Sequence, residues 1–169
     1  GTATVSNSHV YDNDIGIRFI NGGGGSIADT NFDGGVSADN LTDVQVDATA
    51  GAVTISDGNA FAGDEYFIDN RSSAAFDLRT NTSTLDESND YRIEDKMYHG
   101  PDDTASGVIT WVAGSLFVTT PGTGANDETI QNAVDVATAG DTVNIEAGTY
   151  AETITFGPTF DKDDVTITG

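Results

Sequence analysis

Across the first 56 residues the apolar positions come in short β-branched runs separated by Asn, Asp and Gly. The runs are Thr4-Val5, His9-Val10-Tyr11, Ile15-Gly16-Ile17, Ile27-Ala28, Val44-Gln45-Val46 and Val53-Thr54-Ile55. Each is too short for a helix and fits a brief strand. The runs recur. Val5 and Ile27 lie 22 residues apart, as do Val10 and Phe32, Asn7 and Asp29, and Asn13 and Gly35. A period near 22 with several short strands per turn predicts a parallel β-helix, in which each coil buries its inward side chains only by stacking on the next.

From residue 57 to about 120 the period lapses. Glu65-Tyr-Phe-Ile-Asp69, Gly107-Val-Ile-Thr-Trp-Val112 and Ser115-Leu-Phe-Val-Thr119 read as ordinary strands, and Arg79 to Asn89 as turns or a long loop. This stretch predicts a small β-rich insert with a core of its own, holding Tyr66, Phe67, Tyr91, Tyr98 and Trp111. Pro121, Gly122 and Gly124 make a linker. A helix is predicted over about 126–139: Asn126 as N-cap, Asp127 and Glu128 at the positive end of the dipole, and Gly140 to stop it. Ile130, Ala133, Val134 and Ala137 give that helix one apolar face. Strands resume at Thr142-Val-Asn-Ile145, Thr153-Ile-Thr-Phe156 and Val165-Thr-Ile-Thr168, with Val143 and Val165 again 22 apart. The expected fold is therefore all-β. Parallel coils occupy 1–56, the insert 57–120, and the capping helix with further coils 121–169.

The segment from Thr129 to Tyr150, with Gly140-Asp-Thr-Val143, Ile145 and Gly148-Thr-Tyr150, resembles the opening of right-handed, pectate-lyase-like β-helices. Asp164-Val-Thr-Ile-Thr-Gly169 resembles the coil that follows, and Val5 to Ile17 an interior coil. Asp90 to His99 and Leu116-Phe-Val-Thr119 resemble spacers of large bacterial secreted or surface repeat proteins. The resemblance implies a repeat with an adhesive, sheath or scaffold role and an amphipathic helix plugging the solenoid end. Here the order is inverted, since interior coils come first and the cap lies near the C-terminus. The unit then spans a junction between tandem repeats, or its two pieces stack within one domain.

Charge narrows the partners. With 28 acidic and 6 basic residues the formal net charge is −22. Such a surface repels nucleic-acid phosphates and anionic lipid. No stretch has the length of an apolar membrane span. Cysteine is absent, which excludes disulfides and thiolate metal sites. Acidic, Gly-, Thr- and Asn-rich composition with two lysines points to a secreted or cell-surface setting.

Candidate chemistry is sparse. Lyase chemistry of the pectate-lyase kind needs acidic Ca²⁺ ligands and a basic residue beside a carboxylate. Arg18 is the only basic residue of 1–56, with Asp12, Asp14 and Asp33 as acids; Arg18 reads better as an exposed strand residue paired with an acid. No catalytic residue is assigned. For calcium, Asp12 and Asp14, and Asp161 and Asp163, are the candidate ligands, although no EF-hand pattern is present. Asp57-Gly-Asn59 with Asp64 and Glu65 is a further acidic turn. His9 and His99 lack zinc-ligand spacing, and Gly22 to Gly25 lacks the Lys-Ser/Thr of a phosphate loop.

Three readings follow. The leading one is a structural or adhesive unit stacking head to tail on copies of itself or on adjacent repeats, through Thr4, Val5, Val143, Ile145, Val165 and Ile167. The others are a polysaccharide-binding or polysaccharide-cleaving groove and a calcium-stabilised surface module.

Overall fold

In the computed structural model, which describes residues 1–35, 37–81, 84–124, 128–156 and 162–169, parallel strands stack into a β-solenoid of about 5 turns. One wall is a four-stranded parallel sheet of β2 (Ile15–Phe19), β4 (Thr42–Val46), β6 (Tyr66–Asn70) and β8 (Met97–Tyr98). A second is β1 (Thr2–Ser6), β3 (Gly24–Ala28) and β5 (Val53–Ile55), also parallel. Single bridges His9↔Asn31↔Ala60 and Phe61↔Leu85 form the corner between these walls. Beyond them β7 (Phe76–Asp77) pairs with β9 (Ile109–Thr110), and β10 (Ser115–Val118), β11 (Thr142–Ile145) and β12 (Thr166–Thr168) form a last parallel sheet. Among the described residues two short helices interrupt the coils, α1 (Asp90–Glu94) and α2 (Ile130–Val136).

Val5 stands opposite Ile27, as the 22-residue spacing predicts. Later coils are longer. Ile17 meets Val44 after 27 residues, Val44 meets Ile68 after 24, and Ile68 meets Met97 after 29. The partner of Val143 is Ile167, not Val165. Extra residues enter at the corners, where they lengthen turns without moving the inward positions, so a constant period is not needed for register.

The stretch expected as an insert supplies β6 and β8 to the same wall as β2 and β4. Its aromatics join the common core: Phe67 and Trp111 belong to one cluster with Phe19, Ile27, Phe32, Val44 and Ile68, and Tyr91 packs against it. Phe32 and Phe61 stack at 5.4 Å between consecutive coils. The glycine run read as a loop is partly strand. A Cβ on Gly24 would lie 2.2 Å from the Ala52 carbonyl, and one on Gly25 1.8 Å from that of Ala3, so only glycine lets the three strands close there.

The capping helix keeps its predicted face, for Ile130, Ala133, Val134 and Ala137 are all buried. Its bounds are shorter. Thr129 is the N-cap, its hydroxyl accepting from Asn132 N at 3.0 Å, and the Glu152 carboxylate accepts from Ile130 N and Gln131 N. The predicted N-cap Asn126, with Asp127, lies outside the described residues. The chain leaves the helix at Ala137, and Gly140, at φ 86°, serves the turn into β11. Residues 153–156 form no strand; the Thr155 amide donates to the Gln131 side chain instead of to a ladder.

β10 joins the two ends of the molecule. Phe117 faces the first core, stacked on Trp111 at 5.4 Å and edge-on to Tyr91 at 5.7 Å. Leu116 and Val118 face a second core with Ile130, Ala133, Val134 and Val143. Alternation along one strand thus serves both cores. Ile68→Ala in the wall strand β6 is expected to lower the unfolding free energy by about 2–5 kcal/mol, read as a fall in urea midpoint. Ile20→Ala, at a side chain 38% exposed, is expected to change it by no more than about 0.5 kcal/mol. Equal losses at the two positions would contradict the placement of the core.

Candidate functional site

The most concentrated chemistry is buried between the solenoid and α2. Asn89 caps α1 by accepting from Tyr91 N at 2.9 Å, and the single turn that follows directs Ile93 and Glu94 inward. After β8 the chain turns sharply through His99 to Asp103. The Asp102 carboxylate accepts from His99 N at 2.8 Å, while the Asp102 and Asp103 amides donate back to the His99 carbonyl. Glu94, His99 and Asp102 thereby converge, with one ligand-type atom of each within 4.8 Å of the others, all buried.

The protonation states follow from the partners. His99 Nδ1 accepts from the Ile109 amide at 3.0 Å, and an amide N–H can only donate. The ring proton therefore sits on Nε2 and is donated to Glu94 Oε1 at 2.9 Å. Burial lowers the His99 pKa to about 4, against the opposing pull of Asp102 and Glu128. Burial also raises Glu94 well above the carboxylate range, helped by Glu128 and Asp95. Asp102 is raised to about 7 by burial, with His99 lowering it and Glu94 raising it. The His99–Glu94 contact is therefore a neutral hydrogen bond and not an ion pair.

That tautomer argues against a metal centre. A ligating imidazole presents one unprotonated nitrogen to the ion and normally donates the other N–H to an outer group. Here the nitrogen facing the carboxylates carries the proton, and the other is occupied by a backbone donor. Binding a cation at Nε2 would demand a fully deprotonated ring. The arrangement fits a closed proton-sharing cluster.

A second buried acid is fully bonded. Asp43 accepts from Ala62 N, Gly63 N and Asn40 Nδ2, yet burial outweighs these bonds and lifts its pKa to about 7. Asn40, itself buried, also donates to the Val10 carbonyl and accepts from Asn13 N and Nδ2. At another corner Asn59 Oδ1 accepts from Thr30 N, and Asn81 Oδ1 from Asn59 N. These amides tie one coil to the next and satisfy backbone groups that water cannot reach.

The candidate residues from the sequence are dispersed. Asp12, at φ 61°, and Asp14 are exposed at a corner of the first coil, and Asp163 lies in an exposed turn before β12. Asp161 falls outside the described residues. Among the described residues only Glu94, His99 and Asp102 converge as a metal-capable trio. Of the assembly set, Thr4 and Val5 lie on the edge strand β1 and Ile167 on the edge strand β12, with Val165 just before it. Val143 and Ile145 do not lie at an edge: β11 is paired on both sides, by β10 and β12, and Val143 is completely buried.

The basic side chains are engaged. Arg18 reaches Asp47 at 3.7 Å, Arg71 is bonded to Asp69 and lies over the Tyr98 ring, and Arg79 is bonded to Asp77. Arg92 holds Asp95 and, at 2.6 Å, Glu146. Lys96 donates to the carbonyls of Gly63 and Asp64, and Lys162 to those of Val134 and Asp135. Arg18, Gln45, Asp69 and Tyr98 do form a register ladder across β2, β4, β6 and β8. Its acid is consumed internally, because Asp69 takes Gln45 Nε2 at 2.6 Å and Arg71 Nε at 2.9 Å. Among the described residues no helix is long and apolar enough to cross a membrane.

No protein-family model, curated protein or solved structure matches the chain. The sequence reading missed the buried cluster because Glu94 sits on a helix it did not foresee. The available signal was His99-Gly-Pro-Asp-Asp103, a turn sequence with a carboxylate three residues after its histidine.

Because His99 is depressed from 6.5 to about 4, its contribution to stability is present above pH 6.5 and is lost as pH falls through 4. Its ring resonances in ¹⁵N NMR are expected to show the neutral Nε2–H tautomer from pH 8 to about 5. Titration near pH 6.5, or a proton on Nδ1, would contradict the assignment.

Proposed function

We propose that the chain is a structural or adhesive unit of an extracellular β-helix protein, to which further coils are added at both ends, from adjacent repeats or from copies of itself. The observation that carries this reading is the character of the two outer strands. β1 and β12 are each the last strand of their sheet, and both are uncharged. In β1, Thr2 and Thr4 are exposed and alternate with Ala3 and the half-buried Val5; in β12, exposed Thr166 and Thr168 flank the half-buried Ile167. Free sheet edges are ordinarily blunted by charge, proline or a covering element, because unpaired backbone groups recruit strands. A chain with a net charge of −22 has acidic residues in abundance, yet leaves these strands without them.

The two strands are also complementary, with threonine outward and an apolar residue inward in each. In parallel register, threonine would stack on threonine and aliphatic on aliphatic, as Thr4, Ser26 and Thr54 and as Val5, Ile27 and Ile55 already do. A join of this heterologous kind propagates unless it closes into a ring. The acidic surface opposes it at low ionic strength, so salt promotes stacking. The same surface suits an exposed protein that must stay hydrated.

Sedimentation velocity over a range of concentration and NaCl tests the reading. Larger species are expected to grow with both, and Val5→Lys combined with Ile167→Lys is expected to return the protein to monomer with its circular dichroism unchanged. A wild-type protein that stays monomeric at high concentration and high salt would overturn the reading.

A further inference from the structure

We propose that the Glu94–His99–Asp102 cluster is an alkali-sensitive latch that holds helix α2 against the end of the solenoid. The turn that Asp102 closes is the seat of that helix. It presents the Pro101 carbonyl to Thr129 N at 3.2 Å and the Asp102 carbonyl to Asn132 Nδ2 at 3.0 Å. Gly100 lies so close to Val136 that an added Cβ would be 3.2 Å from its side chain. Seated there, α2 covers Leu116, Val118 and Val143. Glu152 and Lys162 hold the two ends of the same helix from the far side.

The latch closes only while the cluster is neutral. Among the described residues, the titratable groups facing it are Asp95 just after α1, Glu128 ahead of α2, and Tyr66 and Tyr98 from β6 and β8. All carry negative charge when ionised. Arg92, on α1, is already bonded to Asp95 and Glu146. When Asp102 and Glu94 release their protons to solvent, two like charges meet at close range out of water. Admitting water by opening the turn relieves both, and the turn carries α2 with it. Burial places the ionisation of Asp102 near pH 7 and raises that of Glu94 well above its ordinary value. For both acids the folded pKa exceeds the unfolded one. Their stabilisation is complete below the unfolded value and is lost as pH rises through the folded value. The latch operates whether or not units stack.

Amide hydrogen exchange of the full chain between pH 6 and 9, corrected for intrinsic rates, tests this. Protection of residues 130–136 is expected to fall as pH rises from 6, by about tenfold per pH unit for each proton that opening releases, and to level off above the folded pKa of each acid, while residues 66–70 hold theirs. Asp102→Asn and Glu94→Gln each keep a carbonyl acceptor, for His99 N and His99 Nε2–H respectively; the two combined should flatten the profile of α2. Asp43→Asn, on β4, should leave it as in the wild type. The proposal fails if wild-type α2 is indifferent to pH, or loses protection in step with β6. It fails also if the double variant keeps the slope or Asp43→Asn removes it. Should the double variant not fold, the difference between α2 and β6 within the wild-type chain decides.

Discussion

Everything in this molecule depends on the parallel ladder between successive coils. Among the described residues no strand has a hairpin partner; its backbone groups and its inward side chain are completed by a strand 22 or more residues away. The rank Ile17–Val44–Ile68–Met97 shows the consequence. Val44, Ile68 and Met97 are fully buried, while Ile17, on the outermost strand, remains partly open. Burial is a property of stacking, so an end coil is always the least satisfied. The exposed strands β1 and β12 express that constraint, and α2 answers it at the second core.

The same constraint governs the acids. Most of the 28 carboxylates can face water, but Asp43 on β4, Asp69 on β6 and Glu94 on α1 are buried. Asp43 is held by two amides and Asn40, Asp69 by Gln45 and Arg71, and Glu94 by the ring of His99. Where a cation is present the acid is paired. Where none is, burial raises its pKa toward the neutral form. The buried cluster is therefore a product of fold geometry meeting an acidic composition.

The coil pattern was legible because inward positions alternate on a period of two, and because Asn7 and Asp29, both at left-handed corners, recur with the first strands. The apolar face of α2 was legible for the same kind of reason, a regular spacing. What failed was the assumption of constant coil length. Coil lengths of 24 residues from Val44 to Ile68 and 29 from Ile68 to Met97 hid the continuity of β6 and β8 with β4, so one solenoid read as two pieces and an insert. Nor could spacing show that β10 serves two cores, since that requires knowing what lies on each side of Phe117 and Leu116. The buried trio was hidden too, because a one-turn helix such as α1 has too few residues to display a period.

The claim that coils stack end on end is tested most directly by trapping the join. The chain has no cysteine, so Thr4→Cys and Thr166→Cys place the only two thiols on the outer strands. Parallel neighbours separated by about 4.8 Å fall within disulfide reach. Mild oxidation should give a ladder of covalent oligomers from the double variant and nothing beyond dimers from either single variant. Monomers alone, from a double variant whose thiols are free and whose fold is intact, would contradict the account.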